Sequence, residues 1–394
     1  MRWNELTGKK IGLWGMGREG QSSRDALAKH VDHPDIIEIS EDNLSALFEC
    51  QVVIKSPGVS LYRPEIQQLK DKGIILTSNT NLYFANKPSS TKVICITGTK
   101  GKSTTSALLA HTIQELGHTC GLGGNIGKPL LDFVDDPLEY MVAETSSYQC
   151  ADLTGSPDLG ILVALYSAHL TWHGSLERYH ADKLHMIKRA KQCIDITKLS
   201  MCIRDGAFCD GPEILFPTQA LPLYGQHNLQ NACVVLQAVK ILGMDPKRCA
   251  AAFQSFHPLP HRLQKVAEKN GVLYINDSIA TLPESVVAAL DTFRNYPVTL
   301  IVGGWDAGYD YHALNSTILD RHVLAIALPD TGNQITTPYH VSNMAEAVRL
   351  ATEKTPTGGV VLMSPGAPSY NQYKNFEERG NDFTRLAQEA QSMR

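Results

Sequence analysis

Short apolar runs recur along the chain, each followed by a stretch with helical spacing of apolar positions. Lys10-Ile-Gly-Leu-Trp-Gly15, Asp35-Ile-Ile-Glu-Ile39, Val52-Val-Ile-Lys55 and Ile74-Ile-Leu-Thr77 predict a first set of strands. Val93–Ile96, Met141–Ala143 and Leu159–Leu165 predict a second, and Val272–Asp277, Val298–Val302, Val323–Ala327 and Val360–Met363 a third. Runs that are apolar on both faces suit parallel strands with helices packed on each side. Two Pro-containing stretches, 85–90 and 256–262, interrupt the pattern. The expected fold class is α/β, with three domains at 1–87, 88–259 and 260–394, each built on a parallel sheet.

The central set opens on a phosphate-binding pattern. After the run ending at Ile96 come Gly98-Thr99-Lys100-Gly101-Lys102-Ser103-Thr104 and a helix carrying Leu108, Leu109 and Ile113. Glycines let the backbone turn and approach a ligand. Free N–H groups at a helix start then face phosphate oxygens. Lys102 adds a point charge, and the Ser103 hydroxyl suits Mg²⁺. The spacing departs from G-x-x-x-x-G-K-[ST], because Ile96 stands where the first glycine would be.

The first set carries Gly15-Met16-Gly17-Arg18-Glu19-Gly20, a G-x-G-x-x-G turn. With Glu38, Glu41 and Asp42 near the end of the second strand, a nicotinamide-dinucleotide reading is open here. A diphosphate on any other nucleotide would use the same backbone groups. Ser56-Pro57-Gly58 ends the third strand at the same sheet edge, where ligands collect in such folds.

Further residues stand where strands end. Glu144 follows Met141–Ala143, in position to ligate Mg²⁺ near the phosphate loop. Gly121-Leu-Gly-Gly-Asn125-Ile-Gly127 reads as a flexible loop. His169 lies past Leu165, and Lys183 follows on a helix with Tyr179 one turn before it. Asn228 and Asn231 share one helix face and suit a base or ribose.

Composition narrows the classes. The 394 residues carry a net charge of −4 with both signs scattered, and no basic stripe marks a nucleic-acid partner. No run approaches the roughly 18 apolar residues of a membrane span, and no leader pattern is visible. Nine cysteines without paired spacing fit a reducing cytoplasm.

Taken in order, these motifs resemble the Mur ligases of peptidoglycan synthesis, closest to the MurD type. The resemblance rests on Gly98–Thr104, Gly124-Asn-Ile-Gly127, Glu144-Thr-Ser-Ser147, His169-Leu-Thr-Trp-His-Gly with Lys183, His227-Asn-Leu-Gln-Asn231, Asn276-Asp-Ser278 and Ser364–Gly380. It runs nearly end to end and absorbs the dinucleotide reading, which explains only the first turn. It implies Rossmann-like first and last domains around a P-loop-type ATPase domain. The implied activity is ATP-dependent addition of glutamate to UDP-N-acetylmuramoyl-L-alanine through an acyl phosphate.

The resemblance also implies residue roles. Gly15, Met16, Gly17, Ser56, Pro57 and Gly58 would hold the UDP substrate, with Asn125 and His169 touching it from the central domain. Gly98 to Thr104 would hold ATP phosphates, and Asn228, Asn231, Arg262 and Asp277 its nucleoside side. Lys102, Glu144, His169 and Lys183 would be catalytic. Ser103, Glu144, His169 and a carbamylated Lys183 would hold Mg²⁺. Thr281, Ser369 and Phe376 would meet the amino acid. The implied protein is a cytoplasmic monomer.

Three positions depart from the MurD pattern: Ala168 replaces an Asp, and Ile279 and Ala307 replace lysines. A dicarboxylate wants cationic partners, so D-glutamate, the default, stands beside the L-glutamate of a variant subgroup. A silent nucleotide-binding regulator is the alternative of a different class.

Overall fold

The structure is a computed structural model that describes residues 1–166 and 170–390. His169 and Ala168 therefore lie outside the described residues. Contacts group the chain into two compact units, one of 1–221 with 227–256, the other of 222–226 and the chain from His257 onward.

The first unit holds two wholly parallel sheets. One contains β1 (Lys10–Trp14), β2 (Asp35–Ile39), β3 (Val52–Lys55) and β4 (Ile75–Thr77), in the order β2-β1-β3-β4. The other contains β5 (Lys92–Thr97), β6 (Cys120–Gly124), β7 (Tyr140–Glu144), β8 (Leu159–Leu162) and β9 (Gln192–Asp195), in the order β6-β7-β5-β8-β9. Both sheets double back beside their first strand, which opens a crevice at the carboxyl edge. They contribute to one core, in which Leu13, Ile54 and Leu82 pack in the same cluster as Val93, Cys95 and Met141.

The glycine stretch at 121–124 is strand, not loop. Its glycines are there for packing: a Cβ on Gly121 would lie 2.7 Å from the Leu138 side chain and one on Gly123 2.7 Å from Lys128 O. A small antiparallel sheet follows, β10 (Met201–Arg204), β11 (Ala207–Asp210) and β12 (Glu213–Pro217).

The second unit carries β13 (Gln264–Lys269), β14 (Val272–Asn276), β15 (Val298–Gly304), β16 (Leu324–Asp330) and β17 (Val360–Met363), in the order β13-β14-β17-β15-β16. The expectation of an all-parallel sheet is corrected here. β13 pairs antiparallel with β14, as a hairpin turning at Asn270 and Gly271. Its half-exposed, charged sequence lacks the apolar run that marks the other strands.

Candidate active site

Gly101 begins the helix Lys102–Glu115 in the left-handed region, at φ 85°. A Cβ there would stand 2.9 Å from Asn231 Oδ1, so the helix Gln226–Ile241 closes directly on the loop. Gly98 is equally confined, since a Cβ would reach within 2.6 Å of Val163. Asn231 Nδ2 donates to Asn228 Oδ1 at 3.2 Å, and both amides are buried. The helix that carries the paired asparagines thus meets the glycine loop.

Two lysines converge on the loop. Lys102 Nζ donates to Gly98 O at 2.8 Å and to Thr99 O at 3.2 Å. Lys183 Nζ, on the helix Leu176–Arg189, donates to the same Gly98 carbonyl at 2.9 Å and lies 5.0 Å from the Tyr179 ring centroid. Thr99 Oγ1 and the Tyr179 hydroxyl are 2.8 Å apart. Burial, and then the neighbouring Lys102, push the Lys183 ammonium down to about 8. Both effects disfavour the charged form.

Glu144 ends β7 beside this loop and is buried. Its Oε1 accepts from Asn125 Nδ2 at 2.6 Å, and Asn125 N donates to Glu144 O at 2.8 Å. Glu144 Oε2 is buried without a hydrogen-bond partner among the described residues. A buried carboxylate oxygen without a partner is costly unless something positive reaches it. Mg²⁺ fits such an oxygen in chemistry. Among the described residues no three His, Cys, Asp or Glu side chains form a cluster able to hold a metal.

A cavity of about 490 Å³ runs from the first sheet to Asn125. Gly15, Gly17, Ser56, Pro57 and Gly58 line one side, and Gly124 and Asn125 the other. Gly15 turns at φ 91°, and Ser56 Oγ donates to its carbonyl at 2.5 Å. A Cβ at Gly20 would sit 2.2 Å from Gly15 O, so only glycine lets the helix Arg18–His30 start there. Glu41, named above only for the dinucleotide reading, also lines the cavity, as do Arg18 and Arg63, which sequence reasoning missed. Arg18 donates to Gly127 O at 3.0 Å and to Asn125 O at 3.3 Å, tying the glycine turn to the second sheet. Its place inside G-x-G-x-x-G was the one signal available.

The second unit gathers the remaining predicted residues at the carboxyl edge of its own sheet. Asp277 Oδ1 accepts from Leu263 N at 3.1 Å and Oδ2 from Ser364 Oγ at 2.8 Å, and burial raises its carboxyl to about 7. Arg262 has a buried Nε without a hydrogen-bond partner among the described residues. Ser369 is buried, and Phe376 starts the helix Phe376–Glu389, its carbonyl accepting from Ser278 Oγ at 2.7 Å. Thr281 lies just before the helix Pro283–Thr292.

A glycine loop that opens a helix, a buried carboxylate at the next strand end, and a second glycine turn on a cavity that reaches Asn125 make up a nucleotide-binding type of α/β site. Residues 96–201 match the Mur ligase middle domain. The chain is 34% identical to the UDP-N-acetylmuramoyl-L-alanine–L-glutamate ligase of Micromonospora sp., over 97% of each chain. It is 35% identical to the ligase of that name from Xanthomonas euvesicatoria pv. vesicatoria, over 98% of this chain and 97% of the relative. Its fold is similar to UDP-N-acetylmuramate–alanine ligase from Thermotoga maritima, with TM-score 0.60, 17% identity and coverage of 97% and 100%. It is also similar to MurF ligase of that organism, solved with ADP, with TM-score 0.59, 17% identity and coverage of 98% and 97%. The chain belongs to the Mur ligase family and is MurD-like.

Proposed function

We propose that this protein is the ATP-dependent ligase that joins L-glutamate to UDP-N-acetylmuramoyl-L-alanine in peptidoglycan synthesis. The observation that carries the reading is the continuous cavity from the Gly15–Gly20 turn to Asn125, whose amide grips Glu144 beside the phosphate loop. A nucleotide sugar held by the turn presents its acyl end toward the phosphates. The L isomer is favoured over the default D isomer by the relatives' names and by Ile279 and Ala307 in place of lysines.

A carboxylate does not acylate an amine without activation. The γ-phosphoryl of ATP passes to the substrate carboxylate, giving an acyl phosphate and ADP. The deprotonated amine of glutamate adds to the acyl carbon, and phosphate leaves from the tetrahedral intermediate. The chain mainly positions reactants and offsets charge. Lys102 and the amides of Gly98 to Thr104 hold the phosphates, while Asn228, Asn231, Arg262 and Asp277 take the nucleoside side. Ser103 and Glu144 would hold one Mg²⁺, and His169 and Lys183 would hold a second. Mg²⁺, when bound, supplies positive charge against the crowded oxygens. Lys183 suits carbamylation, which consumes a neutral amine and CO₂ and releases a proton. Thr281, Ser369 and Phe376 receive the amino acid.

The three domains of this reading are 1–87, 88–259 and 260–394, in a cytoplasmic monomer. Among the described residues no helix is long and apolar enough to cross a membrane. The test is product analysis with ATP, Mg²⁺, UDP-N-acetylmuramoyl-L-alanine and glutamate. One ADP and one phosphate should form per new amide bond. ATP hydrolysis with no amide product would overturn the reading.

A further inference from the structure

A polar chain lies next to the site and is used by none of the steps above. The Tyr62 hydroxyl donates to Asp182, at 2.9 Å from each carboxylate oxygen. Asp182 Oδ2 is 2.6 Å from His173 Nδ1, and His173 Nε2 is 3.0 Å from Ser147 Oγ. His173 and Ser147 are buried. A carboxylate only accepts, so Asp182 fixes the proton on Nδ1, and Nε2 of the neutral ring accepts from the Ser147 hydroxyl. A second contact runs alongside, from Ser60 Oγ to Trp172 O at 2.9 Å.

The ends of this chain fall at informative places. Tyr62 and Ser60 belong to the loop that continues from Ser56-Pro57-Gly58, which lines the cavity. Asp182 immediately precedes Lys183, and Ser147 opens the short helix Ser147–Ala151, three residues after Glu144. One imidazole therefore joins the segment that carries Glu144 to the helix that carries Lys183, and a first-domain tyrosine closes on the same carboxylate.

We propose that Tyr62, Asp182, His173 and Ser147 form a positioning strap that sets Glu144 against Lys183 in register with the nucleotide-sugar loop. These are positioning residues, since none touches a reacting atom. A buried imidazole with both nitrogens bonded has one orientation, and so transmits a displacement of either neighbour to the other. The strap rests on the ligase reading only for its effect on turnover.

The test is a double-mutant cycle on kcat for phosphate release, using Tyr62→Phe and Ser147→Ala. Each removes one hydroxyl at opposite ends of the strap and leaves the ring packing in place. Each single change should lower kcat by about 3- to 10-fold with the KM for ATP unchanged. The double variant should be no slower than the worse single one, because cutting a strap twice costs no more than cutting it once. Multiplied effects, or a Tyr62→Phe protein with wild-type kcat, would overturn the strap and leave the ligase reading intact. Absence of phosphate release from the unaltered protein would overturn the ligase reading alone. Amide exchange then decides the strap: Tyr62→Phe should speed exchange in residues 144–151, and unchanged exchange there would overturn it.

Discussion

Asn125 grips one oxygen of Glu144 at 2.6 Å and leaves the other buried with no partner among the described residues. On the proposed function, that second oxygen is the one that would hold Mg²⁺. Replacing Glu144 by Gln preserves size and the bond to Asn125 in one amide orientation. Phosphate release should fall at least about 100-fold, as for loss of a metal ligand. The thermal midpoint should hold or rise, because an uncompensated buried charge is gone. Wild-type turnover in Glu144→Gln would remove this residue from the site.

The phosphate loop depends on glycine at 101 for two separable reasons. Its φ of 85° is the left-handed region, which costs a residue with a Cβ about 1–2 kcal/mol. Its Cβ would also press to 2.9 Å on Asn231 Oδ1. Gly117 has φ 95° but open space around it. Gly117→Ala should therefore lower stability by the backbone strain alone and keep the KM for ATP. Gly101→Ala should add to that a KM for ATP raised by about tenfold or more, because the loop and the asparagine pair must separate. Equal KM values in the two variants would show that the contact does not matter.

Glu19 gives a stability prediction with a definite sign. Its Oε1 accepts from Gln149, Oε2 is buried without a hydrogen-bond partner among the described residues, and burial raises its carboxyl to about 7. Unfolded, it titrates near the ordinary 4.5. Between those values the native state holds the proton and the unfolded state does not. Stability from this group is therefore present below about 4.5 and is lost as pH rises to about 7. The full loss is at most on the order of 3 kcal/mol. Glu19→Gln should flatten the fall in unfolding free energy over that window and stabilise the protein at neutral pH. An unchanged pH profile in chemical denaturation would contradict this.

Lys183 should prove irreplaceable by charge alone. It is buried against Gly98 O and Tyr179, with its ammonium disfavoured. Intact mass measurement in bicarbonate, under conditions that preserve carbamates, should find the adduct on the unaltered protein and not on Lys183→Ala. Lys183→Ala should also lose turnover in a way added bicarbonate cannot restore. Full activity in that variant would exclude the carbamate role.

What the sequence reveals and what it hides divide along physical lines. Strands buried on both faces announce themselves as apolar runs, which is why β5, β8, β15 and β17 and the loop after β5 are legible. β13 is a polar edge strand held by one neighbour, so its signal is tertiary. The 121–124 strand hides because its glycines answer to Leu138, Met141 and Phe133 rather than to local preference. Glu144 and Lys183 stand out at a strand end and on a helix after one. Arg18 on Asn125, and His173 between Asp182 and Ser147, join residues distant in sequence and become visible only when the sheets pack.

The central claim is settled by comparing phosphate release with UDP-N-acetylmuramoyl-L-alanine and ATP when L-glutamate or D-glutamate is supplied. The account predicts release with L-glutamate, coupled to amide product, and little with D-glutamate. Release with D-glutamate alone would contradict the proposed isomer, and release with neither would contradict the ligase itself.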